Sequence, residues 1–303
     1  MDNIRSQAVV PKNEGLGKGE TQLSSSVTLY ALVQCTRDLA PVDCAECLAA
    51  SVANFPNFCD AHPLGNLCNK GSVIGNKNQT SRNIDQLLST LVSKTASAGY
   101  TATSSGQGQD KVYGLAQCRG DMSSKDCSDC IQDAANQIRQ LCPDQADARI
   151  WYDYCFLRYA REDFIGKVDT GYGIFYYNVE NATDPQDFDR KLGALADDIR
   201  SQAVVPKNEG LGKGETQLSS FVTLYALVQC TRDLAPVDCA QCLAISVGNF
   251  PNFCNSRKGC RVLYSSCYVR YELYPFFFPL DSITTSLDAT TIEHSTIVAS
   301  VHT

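Results

Sequence analysis

The spacing of hydrophobic and polar positions changes between residues 82 and 118, from that of a helix to that of a strand. In RNIDQLLSTLVSKTASAG the apolar residues recur at helical intervals, so they share one face of a predicted helix: Ile84, Leu87, Leu88, Leu91 and Val92. The Gly/Ser-rich stretch SSGQGQ predicts a loop, and KVYGLAQC after it predicts a strand. The apolar face of this helix is therefore expected in a core.

A second helix and a further strand are predicted in the residues that follow. The helix should begin after Ser124 and turn these side chains inward: Cys127, Cys130, Ile131, Ala134 and Ile138. The segment RIWYDYCFLRYARE alternates and is rich in aromatic residues, which is typical of a half-buried strand. Together these elements predict an α+β fold in which each small domain packs two helices on an antiparallel β-sheet.

The cysteines repeat at fixed intervals. The chain has 303 residues and 16 cysteines. Two sets share the successive separations 9, 3, 12 and 13: Cys118, Cys127, Cys130, Cys142, Cys155 and Cys230, Cys239, Cys242, Cys254, Cys267. A third set keeps the separations 9, 3 and 12 and then stops: Cys35, Cys44, Cys47, Cys59. This regularity predicts two whole repeats and one incomplete copy.

The incomplete copy is a near duplicate of the last repeat. Residues 4–59 match residues 199–254 except at four pairs: Ser26/Phe221, Glu46/Gln241, Ala50/Ile245 and Ala53/Gly248. The first copy never reaches the GCRVLYSSCYVRYELYPF that completes the last one. Because the missing strands would cover the helix after Cys44, we do not expect this segment to fold alone.

These patterns divide the chain into four parts. We predict a truncated duplicate of the second domain at 1–59, a first whole domain at 67–178 and a second whole domain at 186–278. Residues 279–303 are rich in Ser and Thr and are expected to form a mobile tail.

Charge and hydropathy exclude two kinds of partner. The net charge is −7 with a pI near 5.0, and Lys and Arg do not cluster, so no nucleic-acid partner is expected. No stretch approaches the roughly 18 apolar residues of a membrane span, so none is predicted in this chain.

The cysteine content bears on location. So many regularly spaced cysteines indicate an oxidising, extracellular compartment. The first residues, MDNIRSQAVVPKNEG, lack the apolar core of a signal peptide. We therefore expect a secreted protein whose amino terminus is truncated or misassembled in this chain.

The cysteines themselves favour a structural role over chemistry. A zinc site is disfavoured because each repeat has a single C-x2-C, and the histidines lie outside the repeats: His62, His294 and His302. Thiol redox chemistry is disfavoured because Cys127 and Cys130 lie in a helix pattern without a βαβ context. Neither whole repeat offers a histidine to activate a cysteine nucleophile. We expect no metal, no cofactor and no enzymatic activity.

The motif C-x8-C-x2-C, followed by ARIWYDYCFLRY and by CRVLYSSCYVRYELYPF, resembles the ginkbilobin-homologous, or plant stress-antifungal, domain. The resemblance covers about residues 67–278, and the tandem order is similar to that of cysteine-rich repeat secretory proteins and of cysteine-rich receptor-like kinase ectodomains. It implies secretion into the apoplast and a role in stress or defence.

The resemblance also implies a disulfide pairing. Carried onto this chain, it gives Cys118–Cys127, Cys130–Cys155, Cys68–Cys142, Cys230–Cys239 and Cys242–Cys267. Cys254 and Cys260 are left over in the second domain and pair by exclusion, and Cys35 and Cys44 of the truncated copy can still form a bridge.

A sugar site is a further implication. Ginkbilobin-type mannose binding uses an amide, a guanidinium and a carboxylate, which supply the donors and acceptors that sugar hydroxyls need. The matching residues are Asn69 and Arg149 in the first domain, where Ala160 replaces the carboxylate, and Arg261 and Glu272 in the second. Neither domain keeps all three groups, and an ordinary turn and a strand salt bridge also account for these residues.

Our functional expectation is a non-enzymatic, secreted tandem-repeat protein that binds a mannose-type glycan or a cell-surface protein. The alternatives are an ectodomain fragment of a cysteine-rich receptor-like kinase and a thiol redox enzyme that uses the C-x2-C. Two N-x-[ST] sequons, at Asn78 and Asn181, predict glycosylation and fit secretion.

Overall fold

The structure is a computed structural model that describes residues 2–24, 27–36, 38–53, 63–74, 79–277 and 297–302. The chain separates into two compact units, Met1–His62 and Pro63–Thr303. The truncated copy predicted at 1–59 thus falls in a unit of its own, and the two whole repeats share the other.

The described residues of the first unit form two α-helices and a two-stranded antiparallel sheet. Its elements are α1 (Asp2–Ala8), β1 (Leu16–Ser24), β2 (Val27–Gln34) and α2 (Pro41–Ala53). A small buried cluster joins them, formed by Ile4, Ala8, Val33, Cys35, Cys44 and Leu48. Whether this unit is stable alone stays a prediction.

The first domain of the second unit is a five-stranded antiparallel sheet with two helices, in the strand order β3-β6-β7-β5-β4. Its elements are β3 (Gly65–Cys68), α3 (Gln79–Ala98), β4 (Tyr100–Ser105), β5 (Val112–Cys118), α4 (Ser124–Leu141), β6 (Ala148–Trp151) and β7 (Cys155–Ala160). The α+β arrangement predicted from the sequence is confirmed.

Both predicted helix faces lie in one core. Ile84, Leu91, Ile131 and Ile138 are fully buried against the sheet, while Val92 is partly buried at its margin. The start of α4 is set by Ser123, whose side chain accepts a hydrogen bond of 3.1 Å from the Asp126 amide. Such an N-cap satisfies one of the amides that the first helical turn leaves without a partner.

The segment RIWYDYCFLRYARE forms two strands, and the prediction of a single half-buried strand was wrong. The chain turns between Trp151 and Cys155, and the Tyr152 amide donates to the Cys155 carbonyl at 2.8 Å. The burial also differs, since β6 and β7 are buried at nearly every position. One face of the sheet packs on helices, and the other packs on the second domain.

The second domain repeats the first and extends its sheet, in the order β13-β8-β11-β12-β10-β9 among the described residues. Its elements are β8 (Gly173–Asn178), α5 (Pro185–Ala203), β9 (Leu211–Ser219), β10 (Val222–Cys230), α6 (Pro236–Gly248), α7 (Phe250–Phe253), β11 (Cys260–Tyr264), β12 (Cys267–Glu272) and β13 (Ile297–His302).

Two predicted boundaries differ from this arrangement. Residues 173–178, expected in the first domain, form β8, which pairs with β11 in the second sheet. Of the tail expected to be mobile at 279–303, residues 279–296 lie outside the described residues, whereas 297–302 form β13 on the outer edge of β8. An open strand edge carries unpaired backbone groups that another strand can satisfy.

Seven disulfides join described cysteines, and they include each pair given by the resemblance and by exclusion. They are Cys35–Cys44, Cys68–Cys142, Cys118–Cys127, Cys130–Cys155, Cys230–Cys239, Cys242–Cys267 and Cys254–Cys260. In each whole domain two bridges tie the second helix to inner strands of the sheet. The helix layer is therefore fixed covalently to the sheet.

The two whole domains pack sheet against sheet around Trp151. Its ring lies in a buried cluster with Ile174 and Leu263 of the second domain, and its indole Nε1 donates to the Tyr264 carbonyl at 3.0 Å. Two glutamines at equivalent positions reach across in opposite directions. Gln117 donates to the Cys230 carbonyl at 2.9 Å, and Gln229 accepts from the Gly120 amide at 3.0 Å. The tandem is thus one packed body.

Candidate functional site

Each whole domain places two arginines directly opposite each other on its central strands. Arg149 of β6 pairs with Arg158 of β7, and Arg261 of β11 pairs with Arg270 of β12. All four are at most 8% exposed. Like charges at opposed cross-strand positions are destabilising, so each pair requires carboxylates close by.

In the first domain the main carboxylate is Asp169, in the segment between β7 and β8. Its Oδ2 lies 2.7 Å from Arg149 Nη1 and 2.8 Å from Arg158 Nη1. Burial alone would raise the pKa of Asp169, but the two guanidinium groups outweigh it and hold that pKa below its ordinary value. Asp169 therefore stays ionised and neutralises the arginine pair.

Asp147 connects Arg149 to the predicted Asn69. The Asn69 side-chain amide donates to Asp147 Oδ2 at 3.0 Å, and Arg149 Nη2 lies 3.5 Å from Asp147 Oδ1. Asn69 Oδ1 also accepts from the Gly71 amide at 3.0 Å, which closes a turn. Asn69 and Arg149 are thus brought together, as predicted, although through a carboxylate that the sequence analysis did not single out.

These groups surround an open cavity of about 410 Å³. The charged and polar residues of its wall are Asn69, Ser72, Asp147, Arg158, Arg161, Glu162, Asp163, Lys167 and Asp169. Phe164 contributes an aromatic surface, and the Arg158 guanidinium lies 4.1 Å from the centre of its ring. Arg149 does not line the cavity, so it orients Asp147 and Asp169 from behind the wall.

The carboxylate missing at Ala160 has a counterpart on the opposite strand. In the first domain Ala148 pairs with Tyr159, so the next residues along the two strands, Asp147 and Ala160, lie opposite each other. In the second domain Cys260 pairs with Tyr271, so Gly259 lies opposite Glu272 in the same way. In the first domain the acidic residue therefore stands on the β6 side and the small residue on the β7 side. A carboxylate therefore stands opposite Ala160, and sugar binding by this domain stays a prediction.

The second domain brings its arginine pair and Glu272 together and leaves little space beside them. Glu272 Oε1 lies 3.0 Å from Arg270 Nε and 3.6 Å from Arg261 Nε, and its side chain is 7% exposed. The space beside it is about 10 Å³, close to the roughly 10–15 Å³ that one water needs. A Cβ on Gly259 would lie only 2.1 Å from Glu272 Oε2, so the carboxylate packs against bare backbone. Arg261 and Glu272 meet but leave no room for a sugar.

The two arginine pairs are also completed from across the domain interface. Asp153, in the β6–β7 turn of the first domain, forms ion pairs with Arg261 and Arg270 of the second. Ser265, in the equivalent β11–β12 turn, accepts a 2.6 Å hydrogen bond from Arg149 Nη1. Each domain thus supplies one partner to the arginines of the other.

Asp147 and Asp169 are the residues that sequence reasoning missed. Asp147 could have been found by comparing the repeats position by position, because it stands where the last repeat has Gly259. Asp169 follows no pattern in the sequence. It lies in an irregular segment, and its role follows from the path of the chain between two sheets.

The predicted glycosylation sites differ in their status. Asn181 is exposed and forms an isolated antiparallel bridge with Arg257, whereas Asn78 lies outside the described residues. Use of either sequon stays a prediction.

In the part of the chain that the structure describes, no helix has the length and apolarity to cross a membrane. In the same part, no group of three or more His, Cys, Asp or Glu residues could hold a metal ion.

Comparison with known proteins identifies the repeats. The model of the salt stress response/antifungal family matches residues 67–162 and 176–274. Cysteine-rich repeat secretory protein 55 of Arabidopsis thaliana is 63% identical over 225 residues, which cover 73% of this chain and 86% of that protein. The antimicrobial ginkbilobin-2-like protein of Castanea crenata is 39% identical over 217 residues, covering 71% of this chain and 89% of that protein.

A solved structure shares the tandem arrangement. The tandem DUF26 ectodomain of the Arabidopsis thaliana cysteine-rich receptor-like protein PDLP8 is 32% identical, with a TM-score of 0.62, and the match covers 70% of this chain and 98% of that one. Two family domains in sequence, the disulfides and this likeness lead to one conclusion. The chain belongs to the salt stress response/antifungal family of cysteine-rich repeat proteins.

Proposed function

We propose that this chain is a secreted, non-enzymatic protein that binds a carbohydrate in the cavity of the first domain. The observation that carries the proposal is the asymmetry between two equivalent sites. The first domain has a wide cavity of about 410 Å³, and the second has a small space of about 10 Å³. Ligand sites in proteins commonly enclose about 300–1,000 Å³, so the first site has room for a sugar residue.

The chemistry of the wall favours a polyhydroxylated ligand. Sugar hydroxyls donate and accept in fixed directions, and the wall offers carboxylate acceptors beside amide, ammonium and guanidinium donors. Acidic and basic side chains alternate here, which suits a neutral sugar better than an ion.

Support for defence-related binding comes from the relatives. One is named an antimicrobial ginkbilobin-2-like protein, and ginkbilobin-type mannose recognition uses the same kinds of group that the cavity brings together. The cysteines support a non-enzymatic role, since both positions of each C-x2-C in the whole domains are closed in disulfides. A disulfide sulfur is neither a nucleophile nor a metal-binding thiolate.

Titration with mannose, and with mannose oligosaccharides, tests the proposal by calorimetry or ligand-observed NMR. We expect binding that weakens about tenfold to a hundredfold in Asp169→Asn, because losing a hydrogen bond to a charged group costs about 1.5–3 kcal/mol. Lys167→Ala tests the wall separately, since Lys167 is exposed and its loss should leave the fold intact.

Lys125→Ala provides a matched control. Lys125 is an exposed lysine on α4, in an i,i+4 pair with Asp129 and away from the cavity wall. It should bind as the parent protein does. Mannose binding that is unaffected by both Asp169→Asn and Lys167→Ala would place the site elsewhere, and absence of any glycan binding would reject the carbohydrate proposal.

A second candidate is an ectodomain of the cysteine-rich receptor-like kinase type. The likeness to a solved ectodomain of a receptor-like protein favours it. Sequencing full-length transcripts of the gene distinguishes the two candidates. An open reading frame that continues from these domains into a membrane span and a kinase would support the second.

A further inference from the structure

Half of the residues that line the cavity of the first domain lie in one segment between β7 and β8. We call residues 161–169 the wall segment, and its lining residues are Arg161, Glu162, Asp163, Phe164, Lys167 and Asp169. These nine residues are all described and form no helix or strand, so backbone pairing within a regular element does not fix their position. The position of the wall segment must follow from individual contacts.

The first domain anchors part of the wall segment. Phe164 is buried in a cluster with Leu115 and Ala160. The Lys167 amide donates to the Phe164 carbonyl at 3.1 Å, which closes a turn after this anchor. At the other end, the Asp169 carboxylate lies between the two guanidinium groups of the arginine pair. These contacts fix two side chains and one turn of the segment.

The second domain holds the backbone of the later half. The Gly166 amide donates to Asp233 Oδ2 at 2.7 Å. The Ser266 hydroxyl accepts from the Asp169 amide at 2.8 Å and donates to the Lys167 carbonyl at 3.3 Å. Ser266 is buried, so its hydrogen bonds form in a low dielectric, where they are stronger than in water. Three backbone groups of the wall segment thus bond to two side chains of the second domain.

The two domains hold each other in the same way. The loop that supplies Asp233 follows β10, and the equivalent loop of the first domain, residues 119–121, follows β5. In that loop Asp121 Oδ1 lies 2.6 Å from Arg119 Nε, and Arg119 Nη2 donates to the Phe276 carbonyl at 3.0 Å. Phe276 follows β12 as the wall segment follows β7, so each domain holds the equivalent segment of the other.

The two segments held in this way differ in what they form. In the second domain, Phe276 and Phe277 pack on Tyr225 and Leu227 in a buried cluster. In the first domain, the wall segment carries side chains that surround a cavity of about 410 Å³. The contacts made by the second domain therefore bear on a binding site, whereas the reverse contacts bear on a core.

We propose that Asp233 and Ser266 are positioning residues for the carbohydrate site, through which the second domain holds the wall segment in the arrangement that receives the ligand. This inference rests on the proposed function. Neither residue lines the cavity, so both act through the backbone of the wall segment. A wall that is already ordered loses little conformational entropy on binding, which strengthens binding without adding a contact. The tandem is therefore one binding unit, although the ligand contacts a single domain.

Titration of the full chain with mannose oligosaccharides by calorimetry tests the inference. Asp233→Ala and Ser266→Ala should each weaken binding about three- to tenfold, because each removes hydrogen bonds that hold the wall segment. Asp233→Asn should bind as the parent protein does, since its side-chain oxygen can still accept from the Gly166 amide. This recovery separates positioning by a hydrogen bond from a general effect of the Asp233 charge.

Gln229→Ala is the matched control. Gln229 Oε1 accepts from the Gly120 amide at 3.0 Å, so the variant loses a bond of the same kind across the same interface. Neither of these residues lines the cavity. The affinity of Gln229→Ala for the oligosaccharides should equal that of the parent, while urea denaturation should show a loss of stability similar to that of Asp233→Ala.

Hydrogen exchange on the free protein detects the same contacts without a ligand. The Gly166 amide should exchange faster in Asp233→Ala. The Asp169 amide should do so in Ser266→Ala, and Gln229→Ala should change neither. Unchanged exchange, or a parent that binds with an affinity that neither alanine variant alters, would overturn this inference and leave the proposed function in place. An equal loss of affinity in Gln229→Ala would also overturn it. A parent that binds no oligosaccharide would reject the proposed function, and this inference with it.

Discussion

At the scale of single residues, the main buried carboxylate of each domain neutralises a pair of opposed arginines. Asp169 and Glu272 have the same task in different domains, since each lies between two opposed guanidinium groups. Asp169 lies in the segment that connects β7 to β8, whereas Glu272 is the last residue of β12. The space beside Ala160 is therefore left empty in the first domain, whereas the Glu272 side chain fills the equivalent space in the second. The placement of the carboxylate therefore differs between the domain with the large cavity and the domain with the small one.

Asp169→Asn should destabilise the protein by about 3 kcal/mol, because removal of one partner leaves two buried arginines short of charge. Asp129→Asn, in an exposed pair on α4, should change stability by less than about 0.5 kcal/mol. Urea denaturation of the two variants and the parent gives both values. A loss in Asp169→Asn no larger than in Asp129→Asn would show that the arginines are neutralised without Asp169.

The pH dependence of the same contact has a definite sign. The pKa of Asp169 in the folded state lies below its ordinary value of 3.8, so its contribution to stability is present above that value. The contribution is lost as the pH falls through the folded-state pKa. The stability difference between the parent and Asp169→Asn should therefore shrink between neutral pH and about pH 3. A difference that does not change over this range would contradict the assignment.

At the scale of elements, the disulfides differ in how much chain they close. Cys130–Cys155 and Cys242–Cys267 are equivalent, with a sequence separation of 25 in both domains. Cys118–Cys127 and Cys230–Cys239 are equivalent too, with a separation of 9, but the third bridge differs, since Cys68–Cys142 has a separation of 74 and Cys254–Cys260 one of 6. Cys68–Cys142 ties β3 to the end of α4, and Cys254–Cys260 closes a short turn before β11. The two domains thus fix different parts of the same fold.

Replacing Cys68 and Cys142 together by Ser should cost about 4 kcal/mol, against about 2 kcal/mol for Cys254 and Cys260, because loop-closure entropy grows with loop length. Thermal or denaturant unfolding of the two double variants measures the difference. Equal losses, or a larger loss from the short bridge, would mean that native packing around the bridges outweighs chain entropy.

At the scale of the whole molecule, the two domains share their charged groups across a broad interface. Asp153 and Ser265 occupy equivalent turns, and each contacts arginines of the other domain. The exchange is unequal, because Asp153 provides a negative charge and Ser265 a neutral hydroxyl. The arginines of the second domain depend more on the first domain than the reverse.

Asp153→Ala should therefore cost about 3 kcal/mol and Ser265→Ala about 1 kcal/mol, since the first leaves Arg261 and Arg270 with Glu272 as their acidic partner. Hydrogen exchange should locate the loss of protection from Asp153→Ala in β11 and β12, although the substitution is in the first domain. Protection lost mainly in β6 and β7 would show that the turn stabilises its own domain instead.

The sequence predicts the parts of this structure that depend on local pattern. The faces of α3 and α4 and the incomplete state of the first copy follow from periodicity and repetition, whereas α4, predicted to begin after Ser124, begins at Ser124 itself with Ser123 as its N-cap. The turn at Asp153 does not follow from local pattern, because Tyr-Asp-Tyr contains neither glycine nor proline. The full burial of β6 and β7 depends on contact with the sheet of the second domain, which the residue pattern within these strands does not predict. For the same reason the candidate site was found at Asn69 and Arg149 without the carboxylates that complete it.

The reciprocal turns limit how freely these domains can be recombined. A tandem assembled from the first domain of one relative and the second of another would keep every disulfide and both cores, since these lie within domains. It would be destabilised wherever the donated first domain carried no acidic residue at the position of Asp153 to meet Arg261 and Arg270. The two domains are separate units in the sequence, yet the stability of the second domain here depends on Asp153 of the first.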